Sequence, residues 1–531
     1  MEQSDGLNAV ELEVFRHLFT ALADEMGAAL KRASFSPNIK ERRDYSCALF
    51  NPAGEAVSLG DHMPVHLGAM PMSVTAALKE VGVINPGDVI CLNDPFCGGT
   101  HLPDITLISA VHNPTGTLMG YVASRAHHSD VGGSTPGSMP LAREIFEEGL
   151  RIPPIRLYRG GTLNQAVWAL LLANVRTPVE RAGDLDAQIA ALHTGSTRLL
   201  EIVERRGTAR TLSAMDELIT YADRLVATGL KEIPDGTYKG ADVIEDDGFG
   251  SGPVPILVRI DVKGSLLEID FSGTSPQVPG GVNAVEAITS SATRYVVRCV
   301  VEALLGEQLP AGGGSMSSVM LHLPERSVVN AAAPASVAAG NVETSQRITD
   351  VLFRAFGKAL PDLIPALSQG TMNNTTIGGT DPRTGQAFAY YETIGGGMGA
   401  GPTGDGLSGV HVHMSNSLNT PIEALEHAYP FRITQYGIRR ESGGSGKHRG
   451  GDGLRRDLQV IGPCRVALLS ERREHGPAGA QGGASGAPGA NVLIRHGEER
   501  VLRGKDTFWI EAGDILSIRS PGGGGWGHAE D

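Results

Sequence analysis

Glycine is unusually abundant in this chain, and much of it occurs in pairs and triplets. The 531 residues include 70 glycines, nearly twice the usual share of about 7%. The last third is the richest and ends in the glycine run from Pro521 to Gly527. Glycine allows positive φ and close backbone approach, so this distribution predicts many tight turns and ligand-approach loops rather than disorder.

The composition limits the class of protein. Apolar residues at 41% and charged residues at 20% are typical of an ordinary globular protein, long enough here for two or three domains. The formal net charge of -14 argues against a nucleic-acid-binding function, as does the lack of interleaved basic and aromatic residues.

The cysteines and the apolar runs predict the compartment. The five cysteines are an odd number without a C-x-x-C pair, which favours a reducing compartment and argues against a zinc ribbon. The first residues lack the basic start and apolar core of a signal peptide, and no apolar run approaches the roughly 18 residues of a membrane span. We therefore expect a cytoplasmic protein that does not bind membranes.

The segment from Asn93 to Asp104 has a high density of metal-binding side chains. Apolar, β-branched runs at 88–92 and 105–111 flank it, which predicts a loop between two buried strands. His101 and Asp104, three residues apart on a proline-stiffened turn, can converge on one ion of the Zn, Mn or Fe type. For an isolated H-x-x-D motif, a turn carboxylate and a core histidine are the more common explanation.

A second segment repeats this combination of residues. His127, His128 and Asp130 follow a strand-like run at 118–123 and precede a pair of glycines. Two loops that follow successive strands can face one cavity, so either histidine is a candidate for the second imidazole ligand. Asp130 is a candidate ligand or a residue that orients one.

Further candidates lie nearer the start of the chain. Asp44 stands at the entrance of a strand-like segment, where it is either a turn residue or a ligand. Arg42 and Arg43 precede it and either hold an anionic substrate or remain in solvent. His62 and His66 lie in a loop before a predicted helix; either is a candidate to line the same cavity, although surface histidines are the more common explanation.

The last third contains the remaining polar candidates. Glu392 lies in a tyrosine-rich, strand-like segment. His411 and His413 form an H-x-H pattern that, on a strand, directs both rings to one face; two half-exposed strand histidines are equally compatible with it. Residues 441–453 superficially suggest a phosphate loop but lack the GxxxxGK[ST] spacing.

The hydrophobic pattern predicts an α+β (mixed α/β) fold. Helices are predicted at 9–33, over most of 140–206, at 286–304 and after an N-cap at Thr344 or Ser345, and a β-meander follows residue 236. We predict three domains, namely an N-terminal metal-site domain at 1–235, a central meander with helices at 236–385, and a glycine-rich, β-rich domain at 386–531.

Seven segments, taken in order, resemble the hydantoinase B/oxoprolinase family. They are NDPFCGGTHLPD, SRAHHSDVGG, NVETSQR, YYETIGGGMGAGP, GVHVHMSNSLNTPIE, SGGSGKHRGGDGLRRD and PGGGGWG. The resemblance extends from about residue 9 to 527, and an ordered series of this length is very specific.

The resemblance implies one subunit of an ATP-dependent cyclic amide hydrolase, such as N-methylhydantoinase or 5-oxoprolinase. In that family ATP is bound by a companion hydantoinase A subunit, which phosphorylates the amide oxygen. The hydantoinase B chain holds a divalent metal, and metal-bound water completes ring opening. The resemblance therefore implies a hetero-oligomer with an ATPase partner and a small cyclic amide substrate.

The resemblance also implies roles for individual residues. By position, the metal ligands are expected to be Asp44, His101, Asp104 and His127. Many relatives have an aromatic residue in place of His128, which makes His127 the better ligand. His128 and Asp130, which belong to the same motif, are candidates for catalysis. Glu392 and His413 are further candidates, beside the metal or on the substrate, and they rest on residue type alone.

Two other functions stay open at this point. A carboxylase subunit of the acetone or acetophenone type, which adds an activated carboxyl group to a ketone enolate, shares the expected metal site. The compact chain, without a large insertion, favours the hydrolase. A non-enzymatic scaffold for the ATPase is the third possibility, and it predicts no metal.

Overall fold

The computed structural model describes residues 7–60, 63–312, 314 and 316–529. Helices and mainly antiparallel sheets are combined within these ranges, which confirms the predicted α+β class. No helix in the described ranges is both apolar and long enough to cross a bilayer. All five cysteines are free thiols.

Within the described part of residues 7–230, one seven-stranded sheet is covered by helices. The strands are β1 (Tyr45–Phe50), β2 (Ala56–Leu59), β3 (Val89–Leu92), β4 (Asp104–His112), β5 (Leu118–His127), β6 (Ile155–Arg159) and β7 (Thr162–Leu163). The helices are α1 (Ala9–Ala33), α2 (Pro37–Lys40), α3 (Ala69–Val81), α4 (Gln165–Ala173), α5 (Pro178–Arg206) and α6 (Thr208–Leu230). The strand order is β2-β1-β5-β4-β3-β6-β7, with every neighbouring pair antiparallel.

Helix α1 has the bounds that the sequence predicts. Its capping residues and the spacing of its apolar residues explain why it forms there. The side chain of Asn8 accepts a hydrogen bond from the backbone amide of Glu11, and the Glu11 carboxylate accepts one from the backbone amide of Asn8, so a capping box starts the helix. Residues spaced by three and four, such as Phe15, Phe19 and Leu22, are buried and pack the helix onto the rest of the fold.

The central part contains a second sheet and two long helices. These elements are β8 (Gly236–Ile244), β9 (Val254–Lys263), β10 (Leu266–Asp270), β11 (Val319–His322), α7 (Glu286–Leu305) and α8 (Ser345–Ala359). The predicted meander is confirmed by β8 to β10, and β11 joins β10 in parallel. Thr344, one of the two predicted N-cap residues, does precede the first residue of α8, but its side chain makes no capping hydrogen bond because a π-helical turn, Gly340–Thr344, leads directly into the helix.

The last third is built from two small sheets. Its elements are β12 (Asn374–Thr380), β13 (Ala387–Glu392), α9 (Ile422–Ala428), β14 (Phe431–Arg439), β15 (Gly453–Val460), β16 (Cys464–Leu469), β17 (Ala490–Arg495), β18 (Glu498–Leu502), β19 (Lys505–Ile510) and β20 (Ile515–Arg519). The strand orders are β13-β12-β16-β19 and β14-β15-β20-β17-β18. Strands β12 and β13 form one hairpin that spans residue 385, where the second predicted domain ends.

Glycine-rich segments of the last third pack backbone against backbone, and we call them the glycine layer. A Cβ on Gly397 would lie 2.1 Å from the carbonyl oxygen of Gly451, and one on Gly450 would lie 2.0 Å from that of Gly523. The amide of Gly523 donates to the carbonyl of Gly451 at 2.9 Å. The glycines of the loop that suggested a phosphate site therefore serve this close backbone packing. The layer consists of residues 395–406, 443–453, 476–489 and 522–527.

Candidate metal centre

Antiparallel strand pairing brings the predicted ligands to one end of the first sheet. Asp104, the first residue of β4, lies directly opposite His127, the last residue of β5. Strand β1 pairs with the other side of β5, so Asp44 also adjoins His127, whose amide donates to the Asp44 carbonyl at 3.0 Å. His101 precedes β4 by one tight turn, in which the amide of Asp104 donates to the carbonyl of His101 at 3.1 Å.

Three atoms with metal-binding chemistry form a nearly equilateral triangle. Nε2 of His101, Nδ1 of His127 and Oδ1 of Asp104 lie 3.1 to 3.2 Å from one another. Each residue is at most 1% exposed. Ligands about 2.0–2.1 Å from one ion lie about 3.3 Å apart in tetrahedral geometry and about 3.0 Å apart in octahedral geometry. The triangle therefore has the spacing expected of metal ligands.

The tautomer of His101 also fits a cation in the triangle. Nδ1 of His101 lies 3.4 Å from the carbonyl oxygen of Ala338, so the neutral ring carries its proton there and its lone pair on Nε2. Nε2 and Oδ1 of Asp104 are then two acceptors only 3.1 Å apart, an arrangement that a shared cation stabilises. In addition, the buried Oδ1 of Asn341, whose Nδ2 lies 3.0 Å from that Nε2, has no hydrogen-bond partner within the described ranges.

The charges in the centre favour the metal-binding protonation states. Burial opposes ionisation of Asp104, but the charge of His101 and hydrogen bonds from the surrounding imidazoles hold the pKa of Asp104 well below its usual value. Burial lowers the pKa of His127, which keeps that ring neutral. Although burial opposes it, the charge of Asp104 raises the pKa of His101.

Asp44 lies beside the triangle, but its carboxylate is outside it. Among the described residues, the only set of three or more suitable donor atoms within 4.8 Å of one another consists of His101, Asp104 and His127. The Asp44 carboxylate lies 3.9 Å from the guanidinium of Arg42, and burial raises its pKa. Asp44 is thus close to the centre, but its carboxylate does not join the cluster of donor atoms that the other three residues form.

Other side chains support the triangle. The second oxygen of Asp104, Oδ2, accepts a hydrogen bond from the hydroxyl of Thr100 and lies 3.4 Å from Nε2 of His66. Nδ1 of His66 lies 2.8 Å from the hydroxyl of Ser46. His66 therefore lines the site, whereas His62, the other loop histidine, is outside the described residues.

Two of the candidates for catalysis point away from the triangle toward neighbouring helical segments. Nε2 of His128 lies 2.9 Å from the side-chain oxygen of Gln188 on α5, and burial, aided by Arg181, lowers the pKa of His128 to about 4. Asp130 accepts hydrogen bonds from the amide and the guanidinium of Arg176, at 2.6 and 2.8 Å. These contacts hold the loop after β5 to α5 and to the connection between α4 and α5.

The other two candidates also have protein partners. Glu392 pairs with Arg456 at 2.8 Å and accepts a hydrogen bond from the amide of Thr420 at 2.7 Å. His413 lies with Nδ1 3.3 Å from the hydroxyl of Tyr295, and burial lowers its pKa to about 4. The prediction that His411 and His413 share one strand face is wrong, because the segment turns and His413 has a φ of 56°.

Arg42 serves the fold and is not free to bind an anionic substrate. It is 1% exposed and donates to the side chains of Asn38 and Thr393. It also donates to the carbonyl of Tyr391 at 3.2 Å. Arg43, in contrast, is exposed.

Comparison with known proteins gives the chain a family. The sequence profile of the Hydantoinase B/oxoprolinase family matches residues 8–529. This chain belongs to that family. The Hydantoinase B/oxoprolinase resemblance seen in the seven segments is therefore confirmed over nearly the whole sequence.

Two relatives within the family differ in length. 5-Oxoprolinase 1 of Arabidopsis thaliana is 41% identical, with a match over 98% of this chain and 42% of the relative. A putative D-/L-hydantoinase subunit of Pseudomonas sp. (strain NS671) is 28% identical, over 98% of this chain and 90% of the relative. The chain thus spans less than half the length of the plant 5-oxoprolinase but nearly all of the Pseudomonas protein.

Solved structures share the fold. The ATP-dependent caprolactamase from Pseudomonas jessenii superposes with a TM-score of 0.90 at 28% identity, over 98% of this chain and 91% of that chain. A nucleotide-free acetone carboxylase structure gives a TM-score of 0.87 at 18% identity, over 97% of this chain and 75% of that chain. At the latter identity the likeness is one of fold.

Sequence reasoning missed two neighbours of the triangle, although both lie in family-like segments. Asn341 belongs to NVETSQR and contacts His101, while Tyr391 belongs to YYETIGGGMGAGP. The Tyr391 ring stacks on His127 with centroids 4.2 Å apart and an interplanar angle of 16°. Tyr391 and Glu392 are successive strand residues, so their side chains lie on opposite faces of the sheet. The alternation alone does not reveal which face is turned to the site.

Proposed function

We propose that this chain is the metal-dependent hydrolase subunit of an ATP-dependent cyclic amide hydrolase of the hydantoinase or 5-oxoprolinase type. The observation that carries the proposal is the buried triangle of His101, Asp104 and His127. It lies in a chain whose relatives are named as 5-oxoprolinases and as a hydantoinase subunit.

The chemistry of the substrate explains why ATP is needed. An unactivated amide is a poor electrophile, and phosphorylation of its oxygen creates a good leaving group. The glycine-rich segment 441–453, the best nucleotide-loop candidate in the sequence, is filled by backbone packing in the glycine layer. We therefore assign ATP binding to a hydantoinase A-type partner. The name of the Pseudomonas relative, which makes it one subunit of a hydantoinase, and the longer plant chain are consistent with this assignment.

The described side chains fit a divalent ion of the Zn, Mn or Fe type. Such an ion, when bound, lowers the pKa of water toward 7 and so makes hydroxide available at neutral pH. Asp104 contacts both imidazoles, while Thr100 and His66 hold its other oxygen and so keep Oδ1 directed at the triangle. Because the residues are buried, their electrostatic interactions are weakly screened.

A ketone carboxylase subunit is the second candidate function. The fold shared with acetone carboxylase supports it, although the identity of 18% is well below the 41% shared with 5-oxoprolinase 1. Consumption of acetone or acetophenone that depends on bicarbonate would favour the carboxylase over the hydrolase.

We also infer a cytoplasmic location for the complex. The five free thiols support it, because cysteines remain free in a reducing compartment.

The first test is metal content, measured by elemental mass spectrometry on protein purified without chelators. We expect about one divalent ion per chain in the wild type and loss of that ion in His101→Ala and in Asp104→Ala. His112→Ala is the matched control, because His112 lies at the far end of the same strand, about 26 Å from Asp104 at 3.3 Å per residue. Absence of metal from the wild type would favour a scaffold function.

The second test measures the reaction with the partner ATPase present. We expect ATP-dependent ring opening of a hydantoin or 5-oxoproline by the wild type and His112→Ala, and none by His101→Ala. ATP turnover without ring opening on any cyclic amide would contradict the hydrolase assignment.

A further inference from the structure

The buried π-helical turn Gly340–Thr344 contacts the metal centre along two separate paths. On one path, Asn341 lies 3.0 Å from Nε2 of His101. On the other, Glu343 leads through two further side chains to His127. Turns of this kind are rare and are frequently found at functional sites.

The path to His127 consists of two hydrogen bonds and one ring stack. Oε1 of Glu343 accepts a hydrogen bond from Nδ2 of Asn374 at 2.8 Å. Oδ1 of Asn374 accepts one from the hydroxyl of Tyr391 at 3.0 Å. The Tyr391 ring then stacks on His127 at 4.2 Å between centroids. All four side chains are at most 3% exposed.

The orientation of Asn374 is fixed by its other partners. Its Nδ2 also donates to the carbonyl of Leu469 at 2.9 Å, so both amide protons are used and Oδ1 faces the Tyr391 hydroxyl. The tyrosine ring is therefore held in position at its hydroxyl end, and its flat face limits the rotation of His127.

His127 needs such support more than an ordinary metal-binding histidine. A ligating histidine usually donates a hydrogen bond from its second ring nitrogen, and that bond sets the ring orientation. The second nitrogen of His127, Nε2, is buried and has no hydrogen-bond partner in the described part of the chain. The parallel stack on Tyr391, with centroids 4.2 Å apart, is closer than the tilted contact with the His101 ring at 5.0 Å and covers one face of the His127 ring.

We propose that Glu343, Asn374 and Tyr391 are positioning residues that orient His127 for metal binding, in place of the hydrogen bond that its Nε2 lacks. This inference rests on the proposed metal centre. It assigns a shared role to the segments NVETSQR and YYETIGGGMGAGP. They position a metal ligand without contacting the substrate or the metal themselves.

The test compares two tyrosines on the same strand. Tyr391→Phe keeps the stacked ring but removes the hydroxyl that Asn374 holds. Tyr390→Phe is the control, because Tyr390 is equally buried but donates its hydroxyl to Glu392 on the opposite face of β13. Metal-free full-length protein is titrated with Co²⁺, whose visible absorption reports both affinity and ligand geometry. Thermal unfolding of each variant is measured in parallel.

We expect Tyr391→Phe to weaken Co²⁺ binding by about tenfold and to alter the absorption bands, and Tyr391→Leu to weaken binding by up to about a hundredfold. Tyr390→Phe should bind Co²⁺ within about twofold of wild type. Glu343→Ala should also weaken binding. If the residues act as one path, the double variant Glu343→Ala and Tyr391→Phe should lose no more Co²⁺ affinity than the more strongly affected single variant.

The outcomes separate this inference from the proposed function. Wild-type affinity and spectrum in Tyr391→Phe, or equal losses in Tyr391→Phe and Tyr390→Phe, would overturn the positioning role and leave the metal centre intact. A wild-type protein that binds no Co²⁺ would overturn the metal centre itself, and the inference with it.

Discussion

Two buried carboxylates of the same region show how partners decide the role of a residue. Asp104 is surrounded by imidazoles, with His101 and His127 at 3.1 and 3.2 Å. Glu392 is equally buried but lies 2.8 Å from the guanidinium of Arg456. The first arrangement leaves an oxygen available to an ion, whereas the second is a closed ion pair.

Glu392→Gln tests this distinction. We expect the change to lower the free energy of unfolding by about 3 kcal/mol, because it leaves the charge of Arg456 buried without its counterion. Metal content should stay at the wild-type value. Urea denaturation and elemental analysis measure the two quantities. A variant with wild-type stability and metal content that no longer opens the ring would instead support the catalytic role first expected for Glu392.

Secondary-structure elements with strong local patterns could be predicted from the sequence. Helix α1 and the β8–β10 meander are examples, because capping, periodicity and turn residues act over short distances. The H-x-H pattern of His411 and His413 does not reveal that the segment turns, since the positive φ of His413 has no signal in the pattern itself. All three residues of the triangle are ligands expected from the resemblance, and their role as ligands stays a prediction.

The rest of the candidate site depends on long-range pairing. The register of β4 on β5 places Asp104 opposite His127. In this hairpin the register depends on the turn at 113–117 and on a register shift between Val111 and His112, which the hydrophobic pattern does not reveal. The π-helical turn gives no periodic pattern of its own, so the contact of Asn341 with His101 could not be predicted.

The π-helical turn itself can be tested through its first residue. A Cβ on Gly340 would lie 1.9 Å from the carbonyl oxygen of Asn283, so Gly340→Ala must displace the turn. We expect a loss of about 2 kcal/mol or more in the free energy of unfolding, and weaker Co²⁺ binding because Asn341 moves.

Gly357→Ala is the matched control for this element. Gly357 lies within α8, where an added Cβ would meet its nearest neighbour, Ile364, at 3.7 Å. Alanine is a better helix former than glycine, so this change should stabilise the fold by about 0.5–1 kcal/mol and leave Co²⁺ binding unchanged. Equal effects of the two changes in a denaturation and titration experiment would contradict a special role for the turn.

At the scale of the whole molecule, buried ionisable groups make stability depend on pH in opposing ways. Burial raises the pKa values of Glu148, Glu343 and Asp350 to about 7. A carboxyl group with a raised folded-state pKa contributes stability at low pH that is lost as the pH rises through that value. Burial lowers the pKa values of His128 and His413 to about 4. The stability that these neutral imidazoles contribute is present at high pH and is lost as the pH falls.

The contribution of one group can be isolated with Glu343→Gln in metal-free buffer. Burial raises the pKa of Glu343 in the folded state from 4.5 to about 7. The wild type therefore loses the stability contributed by the protonated carboxyl group as the pH rises from about 4.5 to about 7. We expect the free energy of unfolding of the variant, relative to wild type, to rise from about pH 5 to about pH 8, by at most about 3 kcal/mol. Exposed Glu325→Gln should show no such trend, and a flat difference for Glu343→Gln would contradict the raised pKa.

The triangle is assembled from residues 101–127, but its supports come from Asn341 and Tyr391, more than two hundred positions further along the chain. Contacts between such distant segments form slowly, because a large loop must close before any of them is made. An ion that needs all of these groups in place is captured late and binds the finished fold in preference to the unfolded chain. Metal occupancy would then distinguish chains that have completed folding from those that have only collapsed.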